Sequence, residues 1–191
     1  MPRITPVEPP YDVAVGEQLG RMMPPGVPPI RLFRTFARNR AMTDAMGGWG
    51  RYELSKHLAL GMRDREIVIL RTCALCDCEY EWGVHVTFFA ERVGLTHDQI
   101  ASITRGTAAD SCWDDQRDRL LVDAVDSLHT NATIDDGLFD RLAEVFTDAE
   151  MLDLFMLCGW YHAISFTANA AHVDLEPGSP RFDDYSVARR S

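Results

Sequence analysis

The sequence lacks an excess of positive charge. It holds 19 Lys and Arg residues against 29 Asp and Glu residues, which gives a formal net charge of −10. Proteins that bind nucleic acid neutralise its phosphates with clustered Lys and Arg side chains. The acidic balance therefore argues against a nucleic-acid partner. Because acidic soluble proteins are common, it does not indicate what the protein binds instead.

The sequence also lacks the apolar segments that direct a chain out of the cell or into a membrane. Residues 1–6 contain no apolar core of signal-peptide length. Residues 154–171 are free of Asp, Glu, Lys and Arg, but they include His162 and Asn169 and fall short of the roughly 20 apolar residues that a span needs. Five cysteines, an odd number in a chain of 191 residues, are typical of reduced thiols. We therefore expect a cytoplasmic protein with no membrane segment.

A third absence determines the predicted fold class. No run of alternating apolar and polar residues is bounded by turn residues, so we expect no β-sheet. Apolar residues three and four positions apart, typical of helices, begin after Pro29. The first predicted helix ends at Gly47-Gly48. Three more are predicted over roughly 52–60, 64–75 and 78–93. Four others start near Thr96, Ser111, Asp135 and Thr147, and the last of these covers 150–171. The sequence thus predicts an all-α helical bundle.

Proline divides the chain into three parts. Eight of the ten prolines lie in residues 1–29, where fixed φ angles and missing N–H donors are expected to exclude a regular helix. We predict an extended arm there that wraps a neighbour or stays mobile. Residues 30–176 are the predicted helical domain. Pro177 and Pro180 should end regular structure, which leaves residues 177–191 as a polar tail.

The residues best suited to chemistry lie close together in the sequence. Helical spacing places Cys78, Glu81 and His85 on one face of a helix, and Glu66 on the preceding helix could orient the histidine. Cys78 would lie in the first helical turn, where free N–H groups and the helix dipole favour an anion. Beside an imidazole, it is a candidate low-pKa nucleophile. Glu66, Cys78, Glu81 and His85 are therefore the predicted catalytic residues.

Three further residues are candidates for binding a substrate. Tyr80 and Trp82 lie within the same predicted helix. His162 interrupts the apolar final helix, where it is either a core histidine with its hydrogen bonds satisfied or a proton donor that lines a pocket.

The cysteines in this stretch could form a metal site only if the start of the helix unwinds. Cys73-x-x-Cys76 has a spacing typical of redox motifs, but a single pair of this kind is weak evidence. With Cys78 and His85 these residues would supply four zinc ligands if the start of the helix unwinds. Cys73, among apolar neighbours, is more typical of a small core residue. We therefore expect neither a metal nor a cofactor.

Three segments carry a family resemblance: R-E-I-V-I-L-R at 65–71, C-E-Y-E-W-G-V-H at 78–85 and G-L-T at 94–96. They resemble the carboxymuconolactone decarboxylase family, including its alkylhydroperoxidase-D-like branch. The resemblance covers roughly residues 30–176. It implies an all-helical fold and a homo-oligomer, often a trimer or hexamer. The apolar segment 150–171 independently favours burial inside the domain or at a subunit contact.

The resemblance implies a thiol reaction in one branch of the family. That branch carries Glu, then Cys-x-x-Cys-x-x-x-His. Its second cysteine attacks peroxide, its first resolves the sulfenic acid as a disulfide, and the histidine and glutamate relay protons. Glu66, Cys78 and His85 match this pattern, but Glu81 occupies the position of the attacking cysteine. A peroxidase-like oxidoreductase would therefore have to use Cys78 in a rearranged site.

The decarboxylase branch implies a different reaction on a small molecule. It uses acid–base groups around a lactone carboxylate, and a Glu81–His85 pair fits that chemistry. The sequence thus leaves three hypotheses: a thiol-dependent peroxidase-like oxidoreductase, a cofactor-free decarboxylase or lactone-processing enzyme with His85 as general base, and a non-catalytic oligomeric scaffold.

Overall fold

The computed structural model describes residues 1–185. Within this range the chain forms α-helices joined by turns, with one π-helical and one 3-10 turn and no β-strand, so the all-α prediction is confirmed. The elements are α1 (Val13–Gly20), α2 (Arg31–Phe36), α3 (Arg40–Glu53), α4 (Met62–Leu75), α5 (Glu79–His85), a π-helical turn (Val86–Ala90), α6 (His97–Arg105), α7 (Gln116–Asn131), α8 (Asp136–Ala143), α9 (Asp148–Ala171) and a 3-10 turn (Phe182–Tyr185). None of the helices in residues 1–185 has the length and apolar character to span a membrane.

Helix α4 lies at the centre of the bundle and packs against α5, α6, α7 and α9. Residues 64–73 are all buried. This follows from the sequence, because the consecutive apolar residues 67–70 cover every side of a helix and each must contact another element. A helix surrounded in this way is a rigid support for the polar side chain it carries at Glu66.

Two of the buried charged residues of α4, Asp64 and Arg71, are paired across to α7. Asp64 Oδ2 lies 2.8 Å from Arg117 Nη2, and Arg71 Nε lies 2.6 Å from Asp126 Oδ1. A buried charge is tolerated when it has such a partner. The two pairs lie on either side of Glu66 in the sequence and hold α4 in register with α7.

A tight turn connects α4 to α5. Asp77 adopts a left-handed conformation with φ of 51°, which Asp tolerates better than most residues. The N–H of Cys78 donates to the carbonyl of Cys73 at 2.8 Å. The turn brings α5 against α4, so that His85 reaches Glu66. Directly after His85 the chain forms the π-helical turn, a distortion frequent at functional sites.

Several predicted helix boundaries are wrong. The first predicted helix forms two helices, α2 and α3, separated by a turn at residues 37–39. Helix α3 continues through Gly47 and Gly48 to Glu53, and residues 54–61 form turns and bends where a helix was expected. Each glycine costs only about 1 kcal/mol relative to alanine inside a helix, and Met46 and Tyr52 of α3 pack against the core. Helix α7 begins after Asp115, whose side chain accepts a hydrogen bond from the N–H of Arg117, and not at Ser111.

The Pro-rich N-terminal residues contain a helix, contrary to expectation. Residues 11–23 are free of proline, and α1 forms there with Asp12 as its N-cap. Val15 and Leu19 of α1 pack against Ala37 in a small second hydrophobic cluster. Nearer the terminus, the N–H of Arg3 donates to the carbonyl of Ala171 at 2.8 Å. This segment thus packs on its own chain.

The described part of the predicted C-terminal tail is also packed. Phe182 and Tyr185 contact Trp82 edge-on, with ring centroids 5.0 and 5.5 Å apart. A Cβ atom at Gly83 would lie 2.9 Å from the carbonyl of Pro180, so this glycine lets the segment pass close over α5. Residues 186–191, the rest of the predicted tail, lie outside the described residues.

Candidate functional site

A buried ion pair between Glu66 of α4 and His85 of α5 forms the centre of the site. His85 Nδ1 lies 2.7 Å from Glu66 Oε2. The other oxygen of Glu66 accepts a hydrogen bond from Arg65 Nε at 2.8 Å. Glu66 is 0% and His85 4% exposed. Glu66 therefore binds a guanidinium and an imidazole at once, and it fixes the orientation of the histidine ring.

The free edge of the His85 ring meets two oxygen-bearing side chains. The hydroxyl of Tyr161 lies 3.2 Å from His85 Nε2, and Glu81 Oε1 lies 3.5 Å from the same nitrogen. Glu81 Oε2 is buried and makes no hydrogen bond. Phe89 of the π-helical turn packs on the ring, with centroids 5.3 Å apart. Nε2 is thus the point where a proton can pass between the histidine and a bound molecule.

The surrounding carboxylates set the charge of His85. Burial alone would lower the pKa of the imidazole, but Glu66, through its charge and hydrogen bond, and then Glu81 raise the pKa of His85 to about 9. His85 is therefore an imidazolium at neutral pH. An imidazolium next to an unpaired carboxylate oxygen supplies both a proton donor and a proton acceptor.

Cys78 lies in the site but is not a low-pKa thiol. It precedes the first residue of α5, close to the predicted position at the start of a helix. However, it is 0% exposed, and burial raises the pKa of the Cys78 thiol to about 11. The charge of Glu81 contributes to this rise. Desolvation and a carboxylate together outweigh the helix-end effect, so the expected low-pKa nucleophile is corrected to a protonated thiol.

The predicted substrate-binding residues lie in separate places. The Tyr80 hydroxyl donates to Glu176 Oε1 at 2.6 Å, which ties α5 to the C-terminal segment. Trp82 is fully buried in the core. His162 lies beside His129, with ring centroids 5.1 Å apart. The structure brings Glu66, Glu81 and His85 together and places Cys78 near Glu81. The catalytic roles of these residues and the substrate-binding roles of Tyr80, Trp82 and His162 stay predictions.

Sequence reasoning missed three residues of the site. Arg65 and Tyr161 contact Glu66 and His85 directly. Tyr161 is adjacent to His162, the histidine that interrupts the apolar final helix. The helical period of 3.6 residues, applied to that helix, could have drawn attention to Tyr161. Arg65 precedes Glu66 in the sequence, and its pairing depends on burial that only the packed helix provides.

Glu53, at the end of α3, is the third residue that was missed. It is 1% exposed, and neither of its carboxylate oxygens makes a hydrogen bond. Burial raises the pKa of Glu53 to about 8, and the neighbouring Trp49 indole and the positive His85 offset only part of the rise. Glu53 therefore keeps its proton at neutral pH. No sequence signal marked it, because the α3 boundary was predicted incorrectly.

Comparisons with known proteins agree with this architecture. Residues 40–124 match the model of the Carboxymuconolactone decarboxylase family. The fold is similar to that of an uncharacterized peroxidase-related protein with an alkylhydroperoxidase core from Ralstonia eutropha JMP134, at a TM-score of 0.77 and 15% identity over 95% of this chain and 94% of that one. No curated protein matches the sequence.

Two further solved structures share the fold. One is an uncharacterized peroxidase-related protein from Silicibacter sp. TM1040, with a TM-score of 0.75 and 15% identity over 94% of this chain and 96% of that one. The other is the debrominase Bmp8 without ligand, with a TM-score of 0.67 and 15% identity over 91% of each chain. At these identities the likeness concerns the fold. The match of residues 40–124 to the family model confirms the resemblance to the carboxymuconolactone decarboxylase family that was seen in the sequence.

Proposed function

We propose that this protein is a cofactor-free enzyme that transfers a proton at His85 in a decarboxylase-like or lactone-processing reaction on a small organic acid. The observation that supports this most directly is the state of Glu81. One of its oxygens lies 3.5 Å from His85 Nε2, and the other is buried without a hydrogen-bond partner. An unpaired buried carboxylate oxygen is costly, and a substrate that donates a hydrogen bond would relieve that cost.

The two nitrogens of His85 have different roles in this proposal. Nδ1 donates to Glu66, which orients the ring. Nε2 carries the proton that the substrate receives, next to the Tyr161 hydroxyl. Because the pKa of His85 is raised to about 9, the resting ring is a proton donor and not the general base expected from the sequence. Glu81, whose second oxygen has no partner, accepts a hydrogen bond from the substrate.

A decarboxylation at this site needs water as its only other reactant. The bond between the substrate carbon and its carboxylate breaks, the electron pair stays on the substrate, and CO2 leaves. The proton on His85 Nε2 then forms the new bond to the substrate carbon, and the neutral imidazole regains a proton from water. Because His85 forms no covalent bond to the substrate, the substrate itself must delocalise the electron pair, as a conjugated lactone can.

Thiol-dependent peroxide reduction is the second candidate. It is supported by the names of two similar structures, which are peroxidase-related proteins, and by the position of Cys78 in the site. It is disfavoured by burial, which raises the pKa of the Cys78 thiol to about 11, because the thiolate is the reactive form.

Two probe reactions separate these candidates. One is CO2 release from carboxymuconolactone, and the other is consumption of cumene hydroperoxide in the presence of dithiothreitol. His85→Gln should lower the rate of CO2 release by about 10²–10⁴-fold, the usual contribution of a general acid or base. Cys78→Ser should leave this rate close to that of the wild type. The wild-type rate should also fall as the pH rises through about 9, where His85 loses its proton.

The matched control is His97→Gln, which changes an exposed histidine and should leave the rate unchanged. Circular dichroism must show that each variant is folded. Equal rates of CO2 release from wild type and folded His85→Gln would overturn the proposal. Peroxide consumption that is lost in Cys78→Ser and kept in His85→Gln would favour the thiol reaction.

We also propose that the protein assembles through the outer face of α9. Leu152, Met156 and Phe166 are 63%, 53% and 61% exposed on this helix, and their spacing places them on one side. Large apolar side chains grouped in this way commonly mark an interaction surface. A second copy of the chain is the simplest partner, because the family resemblance implies homo-oligomers.

Light scattering tests the assembly directly. We expect a mass of several times the 21.5 kDa chain for the wild type at micromolar concentration. Met156→Glu should reduce this mass, since a charge buried in an apolar contact is unfavourable. Phe139→Glu, on α8, is the matched control and should leave it unchanged. A wild-type mass near that of a single chain would contradict the proposal.

A further inference from the structure

A thiol and two imidazoles converge where the end of α4 meets α7 and α9. Cys76 is the residue that follows α4, His129 lies in the last turn of α7, and His162 lies within α9. One potential ligand atom from each residue falls within 4.8 Å of the others. His129 lies at the surface and Cys76 and His162 are half-buried, so the cluster is accessible from solvent.

The hydrogen bonds of His162 direct one of its nitrogens into the cluster. Its Nδ1 lies 2.8 Å from the carbonyl of Cys158, and a carbonyl only accepts, so Nδ1 carries the hydrogen. The lone pair of the neutral ring is therefore on Nε2, which lies 2.8 Å from His129 Nδ1. An imidazole that donates one N–H to a backbone carbonyl and turns its other nitrogen inward has the arrangement usual for a metal ligand.

The surroundings of His129 favour the form of the ring that can bind a cation. Burial, and then the neighbouring His162, lower the pKa of His129. The neutral ring is the form of an imidazole that binds a metal. The charge of Asp126 acts to raise the pKa of His129, but this carboxylate is already paired with Arg71 at 2.6 Å. Cys76 would lose its proton when a cation binds, as thiolate ligands do.

The geometry points to a zinc-binding site made by Cys76 Sγ, His129 Nδ1 and His162 Nε2, with a fourth position open to water. Zinc prefers nitrogen and sulfur ligands in a tetrahedron, at about 2.0–2.1 Å and 2.3 Å. In such a tetrahedron two nitrogens lie about 3.3 Å apart and a sulfur lies about 3.6 Å from each. The two imidazoles, now 2.8 Å apart, would separate by about half an ångström, which the surface side chain of His129 can provide.

The backbone around the cluster is already fixed in place. Asn169 Nδ2 donates to the carbonyl of Cys76 at 2.8 Å, which ties the end of α4 to α9. A bound ion would therefore join three helices whose mutual positions are set by other contacts. It would stabilise the fold by binding the native state alone. This inference replaces the expectation that the protein holds no metal, and it is independent of the proposed reaction at His85.

The test uses the full chain after removal of metals with a chelator. Titration of zinc in competition with a chromophoric chelator should show one tightly bound ion per chain. Cys76→Ser and His162→Gln should each weaken binding by at least about tenfold, since even changes around a ligand cost 10–100-fold. Cobalt should bind in place of zinc and give the near-ultraviolet charge-transfer band of a thiolate ligand, which Cys76→Ser should abolish.

Cys112→Ser and His97→Gln are the matched controls, because they remove a thiol and an imidazole outside the cluster. Both should bind zinc like the wild type. Absence of stoichiometric zinc binding would overturn the proposal. So would binding that Cys76→Ser and His162→Gln leave unchanged, or a cobalt complex of the wild type without the thiolate band.

Discussion

Replacing Glu66 with glutamine should lower the free energy of unfolding by about 3–5 kcal/mol, the usual cost of removing one partner from a buried ion pair. Glu66 is fully buried and contacts both Arg65 at 2.7 Å and His85 at 2.7 Å. Glutamine keeps the shape of the side chain and removes its charge. The guanidinium of Arg65 would then remain buried without a counter-charge.

The same substitution should change how stability depends on pH. The pKa of His85 is raised from 6.5 to about 9 in the folded protein, so the folded state holds this proton more tightly than the unfolded chain. The resulting stabilisation is complete below pH 6.5 and is lost as the pH rises through about 9. The full effect is about 3 kcal/mol. Glu66→Gln removes the main cause of the raised pKa and should remove most of this dependence.

Urea denaturation at pH 6 and pH 9, at one fixed protein concentration, measures both effects. The fixed concentration matters because assembly would contribute to the apparent stability. Glu91→Gln, an exposed residue, is the control and should change stability by no more than about 0.5 kcal/mol. A Glu66→Gln protein as stable as the wild type at pH 6 would show that the ion pair is not buried in solution.

Replacing Glu53 with glutamine should have the opposite effect at alkaline pH and stabilise the protein by up to about 5 kcal/mol. The pKa of Glu53 is raised from 4.5 to about 8 by burial, so the folded state binds its proton more tightly. Between pH 4.5 and 8 the unfolded chain releases this proton first, and stability falls as the pH rises. Glutamine has no proton to lose and removes this contribution.

The expected signature is a difference between two pH values. At pH 5 Glu53→Gln and wild type should differ by less than about 1 kcal/mol, because a neutral carboxyl is replaced by a neutral amide. At pH 8.5 the variant should be the more stable protein. Glu144→Gln, at an exposed position, serves as control. If Glu53→Gln is destabilising at both pH values, Glu53 is ionised and paired in the folded protein.

The two substitutions also separate the contributions of Glu53 and His85 to the pH dependence of wild-type stability. Above pH 8 the Glu53 contribution is complete, so the remaining loss of stability up to about pH 9 belongs to His85. A double variant with both substitutions should then have a nearly flat profile between pH 6 and 9. Each single variant should lose only one of the two contributions to the fall of stability with pH.

Local patterns predicted those parts of the fold that depend on neighbours in the sequence. The capping boxes at Thr96 and Thr147 correctly mark the starts of α6 and α9, because each cap is a contact between residues three positions apart. The pairing of Glu66 with His85 also followed from spacing, since the two lie on consecutive helices joined by a short turn. Helix ends that depend on packing, such as that of α3 beyond Gly48, were predicted incorrectly.

The sequence by itself determined the helical class, the family resemblance and the candidate residues Glu66, Glu81 and His85, which meet in the site, with Cys78 near Glu81. Only the tertiary structure decided their charges. Burial keeps the proton on Cys78 and on Glu53, and the pairing with Glu66 keeps it on His85. The physical reason is that a pKa depends on the solvent and charges around a group in three dimensions. Residue types show which groups can titrate, whereas packing fixes which of them hold a proton.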